Sequence, residues 1–204
     1  MAAEAIIYIV DDDDSVRRAA SRLFRTSGFK ALTFESADEF LDYPVSDGPG
    51  CIVLDYQMPG RNGIEVQQEL QRREIELPIV FLTGQGDIPT SVKAMKQGAV
   101  DFLPKPADDQ TLIEAVEQAV EASTRNLERN HEVIEFKKRL ASLTQREREV
   151  LNHVAHGLLN KQIASRLQIT EATVKVHRGR MMEKVGVDSV AELVRLCERS
   201  AVLE

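Results

Sequence analysis

Residues 6–14 read Ile6-Ile7-Tyr8-Ile9-Val10-Asp11-Asp12-Asp13-Asp14, an apolar run that ends in four consecutive carboxylates. A continuous apolar run of this length, rather than an alternating one, is the pattern of a strand covered on both faces. That is the environment of a parallel sheet flanked by helices. Four like charges at the edge of a core repel one another unless something positive sits among them. Two readings stand at this point: the acids face water and open a helix, where anions are favoured, or they hold a cation.

Outward from this run, the first 122 residues alternate strand and helix patterns. Short apolar runs occur at 5–10, 30–34, 51–55, 78–83 and 100–105, and helical patterns at roughly 14–27, 37–43, 63–73, 89–97 and 109–122. Gly28 and Gly98 sit where helices should end. Ser36-Ala37-Asp38-Glu39 has capping-box spacing, and Pro89 suits a first helical turn. Five such units predict an α/β domain with a doubly wound five-stranded parallel sheet, whose site lies beyond the carboxyl ends of the strands. Those ends deliver Asp11 and Asp12, then Asp55, Thr83 and Lys105, the last followed by Pro106. Three carboxylates, a hydroxyl and a lysine form a specific set. A hard cation such as Mg²⁺ takes carboxylate oxygens, a carboxylate can attack phosphorus to form an acyl phosphate, and a lysine neutralises charge on the transferring group. With the other members in register, Asp11 and Asp12 read as metal-holding acids, and Asp13 and Asp14 as anions at a helix start.

From Asp108 to His156 the chain has neither Gly nor Pro. The fifth helix is therefore expected to run on as a linker, with Ile113, Val116, Val120, Leu127 and Ile134 on a seven-residue drift suited to pairing with another copy. The alternative is an exposed, charge-laced connector. Thr144-Gln145-Arg146-Glu147 opens a further helix that stops at Gly157. Short helices follow at about 160–167, 171–185 and 189–199. Only Gln168-Ile169-Thr170 separates the first two of these, which is helix-turn-helix spacing. The expected organisation is an α/β domain over 1–122, a helical linker over 123–140 and a small all-α domain over 141–204.

Charge divides the same way. The 204 residues carry a net charge of −7, yet residues 1–124 hold 11 Lys+Arg against 22 Asp+Glu, and the remainder 15 against 11. The acidic half suits a metal and the basic half a nucleic acid. No apolar run approaches the length of a membrane span, and the N-terminal MAAEAIIYIV lacks the features of a secretion signal, so a cytoplasmic protein is expected. Cys51 and Cys197 form no CxxC pair and read as reduced, buried thiols.

IVDDDD, LDYQMPGRNG and FLTGQGDIPTSVKAMKQGAVDFLPKP together resemble the receiver domain of two-component response regulators of the FixJ/NarL type, a flavodoxin-like fold. The resemblance implies that Asp55 accepts a phosphoryl group from a sensor histidine kinase. It implies that Asp11, Asp12 and Asp55, with the backbone carbonyl of Gln57, hold Mg²⁺, and that Thr83 and Lys105 contact phosphoryl oxygens. Thr83 and Phe102 occupy the family's switch positions. Many relatives carry Tyr where Phe102 stands, so the aromatic part of the switch lacks a hydroxyl here. Family analogy also gives a cis Lys105–Pro106 bond, and Gln57 and Gln85 flank the acceptor where phosphoryl lifetime is tuned.

LTQREREVLNHVAHGLLNKQIASRLQITEATVKVHRGRMMEKVGV resembles the LuxR-type helix-turn-helix. The predicted recognition helix offers Thr173, Lys175, His177, Arg178 and Arg180, with Lys161 on the preceding helix, to double-stranded promoter DNA. Arg180 stands where relatives often have Asn, and Gly179 is unexpected inside a helix. By the same analogy the last helix supports dimerisation on DNA. The expected function is a phosphorylation-activated transcription factor that forms a homodimer on activation, with RNA polymerase a further partner and no membrane. An enzyme is the competing class, because aspartyl-phosphate phosphatases use a similar nucleophile. They carry a second acid two residues on, where this chain has Gln57, so no enzyme is expected. A third reading, a DNA-binding protein whose first domain serves only as a scaffold, has no use for the full set of Asp11, Asp12, Thr83 and Lys105.

Overall fold

The computed structural model describes residues 4–84, 92 and 94–202. It divides into two units, Met1–Leu127 and Glu128–Glu204. In the first, β1 (Ile6–Val10), β2 (Lys30–Phe34), β3 (Gly50–Asp55), β4 (Ile79–Thr83) and β5 (Asp101–Pro104) form one sheet in the order β2-β1-β3-β4-β5. Every pairing is parallel, which requires a crossover between successive strands. Helices α1 (Asp14–Thr26), α2 (Ala37–Asp42) and α3 (Gly63–Arg72) supply the first three. The helix expected over 89–97 is described only at 92 and 94–96, where the backbone is helical. Pro89 and Gln85 lie outside the described residues.

The apolar runs bury both faces of the sheet because successive strand side chains point to opposite sides. Ile7, Ile9, Cys51, Val53, Val80 and Leu82 pack on one face with Phe24 of α1 and with Leu112 and Val116 of α4 (Asp109–Ala141). Tyr8, Val10, Ile52, Leu54 and Phe81 pack on the other with Phe40 of α2 and with Val66 and Leu70 of α3. Burial holds the Cys51 thiol well above its ordinary range, as expected of an unreactive core residue.

Two details differ from the sequence expectation. Ser36 does cap α2, its Oγ accepting from the Glu39 N–H at 3.2 Å, but the capping box is incomplete. The Glu39 carboxylate instead accepts from the N–H of Glu35 at 2.7 Å. The second difference concerns the linker expected over 123–140. It is helical throughout, as part of the 33-residue α4, but Phe136 and Leu140 are buried in the core of the second unit. That stretch therefore works as core as well as connector. Of the apolar drift, Val116 is fully buried, whereas Ile134 keeps 52% of its surface exposed.

The second unit holds α5 (Gln145–Ala155), α6 (Asn160–Leu167), α7 (Glu171–Val185) and α8 (Val190–Arg199). Val150, Leu151, Ile163, Val174, Met181 and Leu193 form its core with the end of α4. Thr144 and Glu147 make a complete capping box at α5. Gln168, with φ near 54°, takes the left-handed turn between α6 and α7 without a glycine, a conformation costing about 1 kcal/mol.

One glycine matters to the site. A Cβ on Gly63 would lie 2.7 Å from the Phe81 ring and 2.9 Å from the carbonyl oxygen of Asp55, so α3 begins directly against the end of β3. Gly63→Ala should destabilise the first unit by about 1–3 kcal/mol through overpacking. The check is a urea midpoint; a midpoint equal to the parent chain's would show that the strand end yields freely.

Candidate functional site

The strand register places the predicted acids side by side. Val10 pairs with Leu54, and Asp11 and Asp55 each follow by one residue; Asp55 in turn pairs with Leu82, and Thr83 with Pro104. Asp11 is 1% exposed and Asp55 5%, while Asp12 faces outward. One carboxylate oxygen from each of Asp11, Asp12 and Asp55 falls within a sphere of mutual distances under 4.8 Å. Lys105 reaches in from the end of β5, with Nζ 2.6 Å from Asp11 Oδ2 and 2.8 Å from Asp55 Oδ2. Thr83 is buried at the end of β4, and its carbonyl accepts the Lys105 N–H at 2.7 Å. The Lys105–Pro106 bond is cis. Gln57 donates its N–H to Asp55 Oδ1 at 3.0 Å.

The question posed by the four aspartates resolves by position. Asp13 is the N-cap of α1, accepting from the Ser15 N–H at 2.8 Å and the Ser15 hydroxyl at 2.6 Å. Those bonds hold its carboxyl below the ordinary range. Asp14 pairs with Arg18 at 3.0 Å within the first turns of α1. Asp11 and Asp12 instead each bring a carboxylate oxygen close to Asp55. Arg17, which the sequence reading did not single out, donates from Nη1 to the Asp11 carbonyl at 2.6 Å and so braces the acidic turn. Its only signal in the sequence is a basic residue one helical turn after the acid run.

Electrostatically the cluster is short of positive charge. Burial pushes the Asp55 carboxyl above its ordinary range and the negative charge of Asp11 adds to this, partly offset by Lys105 and the Gln57 N–H. Lys105 is itself raised: burial works against its charge, but the bonds to Asp11 and Asp55 outweigh that. Three carboxylates with one ammonium leave a surplus of negative charge on an all-oxygen donor set. Such a set fits a hard divalent cation.

Phe102 lies half-buried on β5, its ring centroid 5.9 Å from Tyr56 and 5.8 Å from Phe81. It belongs to an aromatic group that begins one residue after Asp55.

In the second unit, Lys161 on α6 and Lys175 and Arg180 on α7 are exposed. Thr173 and His177 are half-buried, and the Thr173 hydroxyl lies 2.9 Å from that of Thr170 at the helix cap. Arg178 donates from Nη1 to Asn160 Oδ1 at 3.0 Å, tying α7 to the start of α6. Gly179 has open space where a Cβ would lie. Val176, unnoticed in the sequence reading, is 51% exposed between Lys175 and His177. The alternation in TVKVH could have flagged it, since Val174 alone fills the core. Among the described residues no helix is long and apolar enough to cross a membrane.

Comparison with known proteins finds two families along the chain. The model of the response regulator receiver domain matches residues 7–117, and that of the bacterial regulatory proteins of the luxR family matches residues 141–197. Nodulation protein W of Bradyrhizobium diazoefficiens is 45% identical over 195 residues, covering 96% of this chain and 86% of its own length. The solved structure of the response regulator StyR is 44% identical with a TM-score of 0.78, covering 97% of this chain and all of that one. Full-length FixJ from B. japonicum is 37% identical with a TM-score of 0.58, each chain covered in full.

Proposed function

Because this chain belongs to the response regulator transcription factors that join a receiver to a LuxR-type DNA-binding domain, we propose that Asp55 is its phosphoryl acceptor and that phosphorylation promotes dimerisation and DNA binding. The observation that carries this reading is Lys105 Nζ lying within 2.8 Å of both Asp11 and Asp55, two carboxylates that are all but buried. Asp12 lies beside that pair, so the one ammonium leaves negative charge over for a divalent cation.

The phosphoryl donor is a phosphohistidine on a sensor kinase. An Asp55 oxygen attacks phosphorus, the P–N bond breaks, and the imidazole keeps the electron pair and takes up a proton. The product is an acyl phosphate. Asp11, Asp12 and Asp55, with the Gln57 carbonyl, are the groups to hold Mg²⁺, which supplies charge neutralisation on the transferring oxygens. Lys105 leaves its carboxylate partners far enough to share a phosphoryl oxygen.

Phosphorylation adds roughly −1.5 to −2 charge and strong acceptor oxygens. The Thr83 hydroxyl then donates to a phosphoryl oxygen, drawing the end of β4 inward. Phe102, whose ring meets those of Tyr56 and Phe81, turns into the space released. In the second unit, Lys161, Lys175 and Arg180 are the exposed cations for phosphates and base edges, and Val176 offers an apolar contact to a thymine methyl. Thr173 and Arg178 act from the cap and from the Asn160 bond, with His177 between them. A promoter-bound dimer is then placed to meet RNA polymerase.

Light scattering on the full chain tests the proposal, with Mg²⁺ alone and with Mg²⁺ plus beryllofluoride, which mimics phosphorylated Asp55. A rise from one chain to two is expected. A mass fixed at one chain while beryllofluoride binds rejects dimerisation as the output, and absence of any binding rejects the pocket.

A further inference from the structure

Lys184 is a basic residue on the last turn of α7, the helix that presents the DNA-facing cations. Position and charge alone would make it one more phosphate contact. Its surroundings point elsewhere. Lys184 Nζ lies 2.7 Å from Glu147 Oε2, and the Glu147 side chain is only 4% exposed. The same oxygen accepts the Thr144 N–H at 2.9 Å, while the Thr144 hydroxyl accepts the Glu147 N–H at 3.3 Å. The carboxylate is therefore the hub of the α5 capping box and the anchor of a lysine 37 residues away.

We propose that Lys184 is a positioning residue for DNA binding and that its pair with Glu147 sets the seat of α7 on the start of α5. The inference rests on the reading that α7 faces DNA.

A buried carboxylate without its cation is strongly unfavourable, so Glu147 holds Lys184 rather than leaving it to search for phosphate. The bonds to Lys184 and to the Thr144 N–H depress the Glu147 carboxyl to about 2, so it stays ionised at neutral pH. Lys175 and Arg180, by contrast, make no ion pair among the described residues. The end of α7 is held from a second side as well, because Arg139 donates from Nη1 to the Val185 carbonyl at 3.3 Å. A neutral pair adds nothing to the count of neutralised phosphates. It fixes the angle at which the other cations meet the groove.

The two roles separate by salt dependence. A side chain that neutralises one phosphate lowers the slope of log affinity against log salt by about one when removed, whereas a positioning residue lowers affinity at every salt concentration with the slope intact. The full chain with Mg²⁺ and beryllofluoride is titrated with a mixed-sequence duplex of about 30 base pairs over a salt series. Far-UV circular dichroism confirms that each variant is folded. Lys184→Met and Glu147→Gln should each weaken binding about tenfold with unchanged slope, and the double variant should be no weaker than either single. Lys175→Met and Arg180→Ala should each reduce the slope. Lys184→Met with a slope reduced by one, or with parental affinity, overturns the positioning role. Unchanged slopes in Lys175→Met and Arg180→Ala overturn the DNA-facing reading of α7 and the inference with it.

Discussion

Asp55→Asn gives a folded chain that takes up no phosphoryl group and whose mass does not change with Mg²⁺ and beryllofluoride. The amide oxygen of Asn is too weak a nucleophile to form an acyl phosphate, and its neutral group removes one of the three carboxylates clustered at the strand ends. The loss is complete rather than graded, because no other buried carboxylate lies at the end of β3. Stability should move the other way. Burial raises the native Asp55 carboxyl above its value in the unfolded chain. The native state therefore binds that proton more readily, and the associated stability, present below the unfolded value, is lost as pH rises through the native one. Asn has no proton to lose. Urea unfolding from pH 4 to 7 should show the parent chain losing stability relative to Asp55→Asn as pH rises. Intact-mass detection of a phosphorylated Asp55→Asn chain, treated with acetyl phosphate and Mg²⁺, would place the acceptor elsewhere.

Much of this site is legible in the sequence because a parallel sheet converts chain order into spatial order. Each apolar run announces a strand covered on both faces, and the residue after it must lie at one edge. Chain order thus puts Asp11, Asp55, Thr83 and Lys105 at one edge of the sheet. The division of labour within Asp11–Asp14 was less legible, since it depends on Ser15 and Arg18 capturing the last two acids. The clasp between Arg17 and the Asp11 carbonyl involves a backbone acceptor, which leaves no mark on residue type.

In the second unit the fold was readable from caps and helical spacing, but the fate of each basic residue was not. Lys175, Arg178 and Lys184 look alike in sequence. Lys175 makes no ion pair among the described residues, Arg178 is bonded to Asn160, and Lys184, though also exposed, is paired with Glu147; only the folded contacts separate them. The core role of the end of α4 is hidden for a related reason. Phe136 and Leu140 sit in a charged helical stretch whose overall polarity hides a buried stripe.

Removing the lysine of the receiver site should cost more than removing any of its exposed charges. Lys105→Met leaves Asp11 and Asp55, both nearly buried, with like charge and no cation between them. Breaking a buried pair in this way costs about 3–5 kcal/mol, because the stranded charge cannot recover its hydration. Two escapes remain, and both are measurable. One carboxylate can take up a proton, so the variant should regain stability as pH falls from 7 toward 5. A divalent cation can replace the missing charge, so Mg²⁺ should raise the variant's unfolding midpoint by more than it raises the parent's. The switch has no such remedy. Without an ammonium to share a phosphoryl oxygen, beryllofluoride or acetyl phosphate can still react at Asp55, but the signal is not passed to β5. Uptake without dimerisation is the expected outcome. A Lys105→Met chain as stable as the parent at neutral pH, with no added response to Mg²⁺, would mean that the acids are already neutral in the native protein. Asp55 could not then be an ionised nucleophile waiting for phosphate.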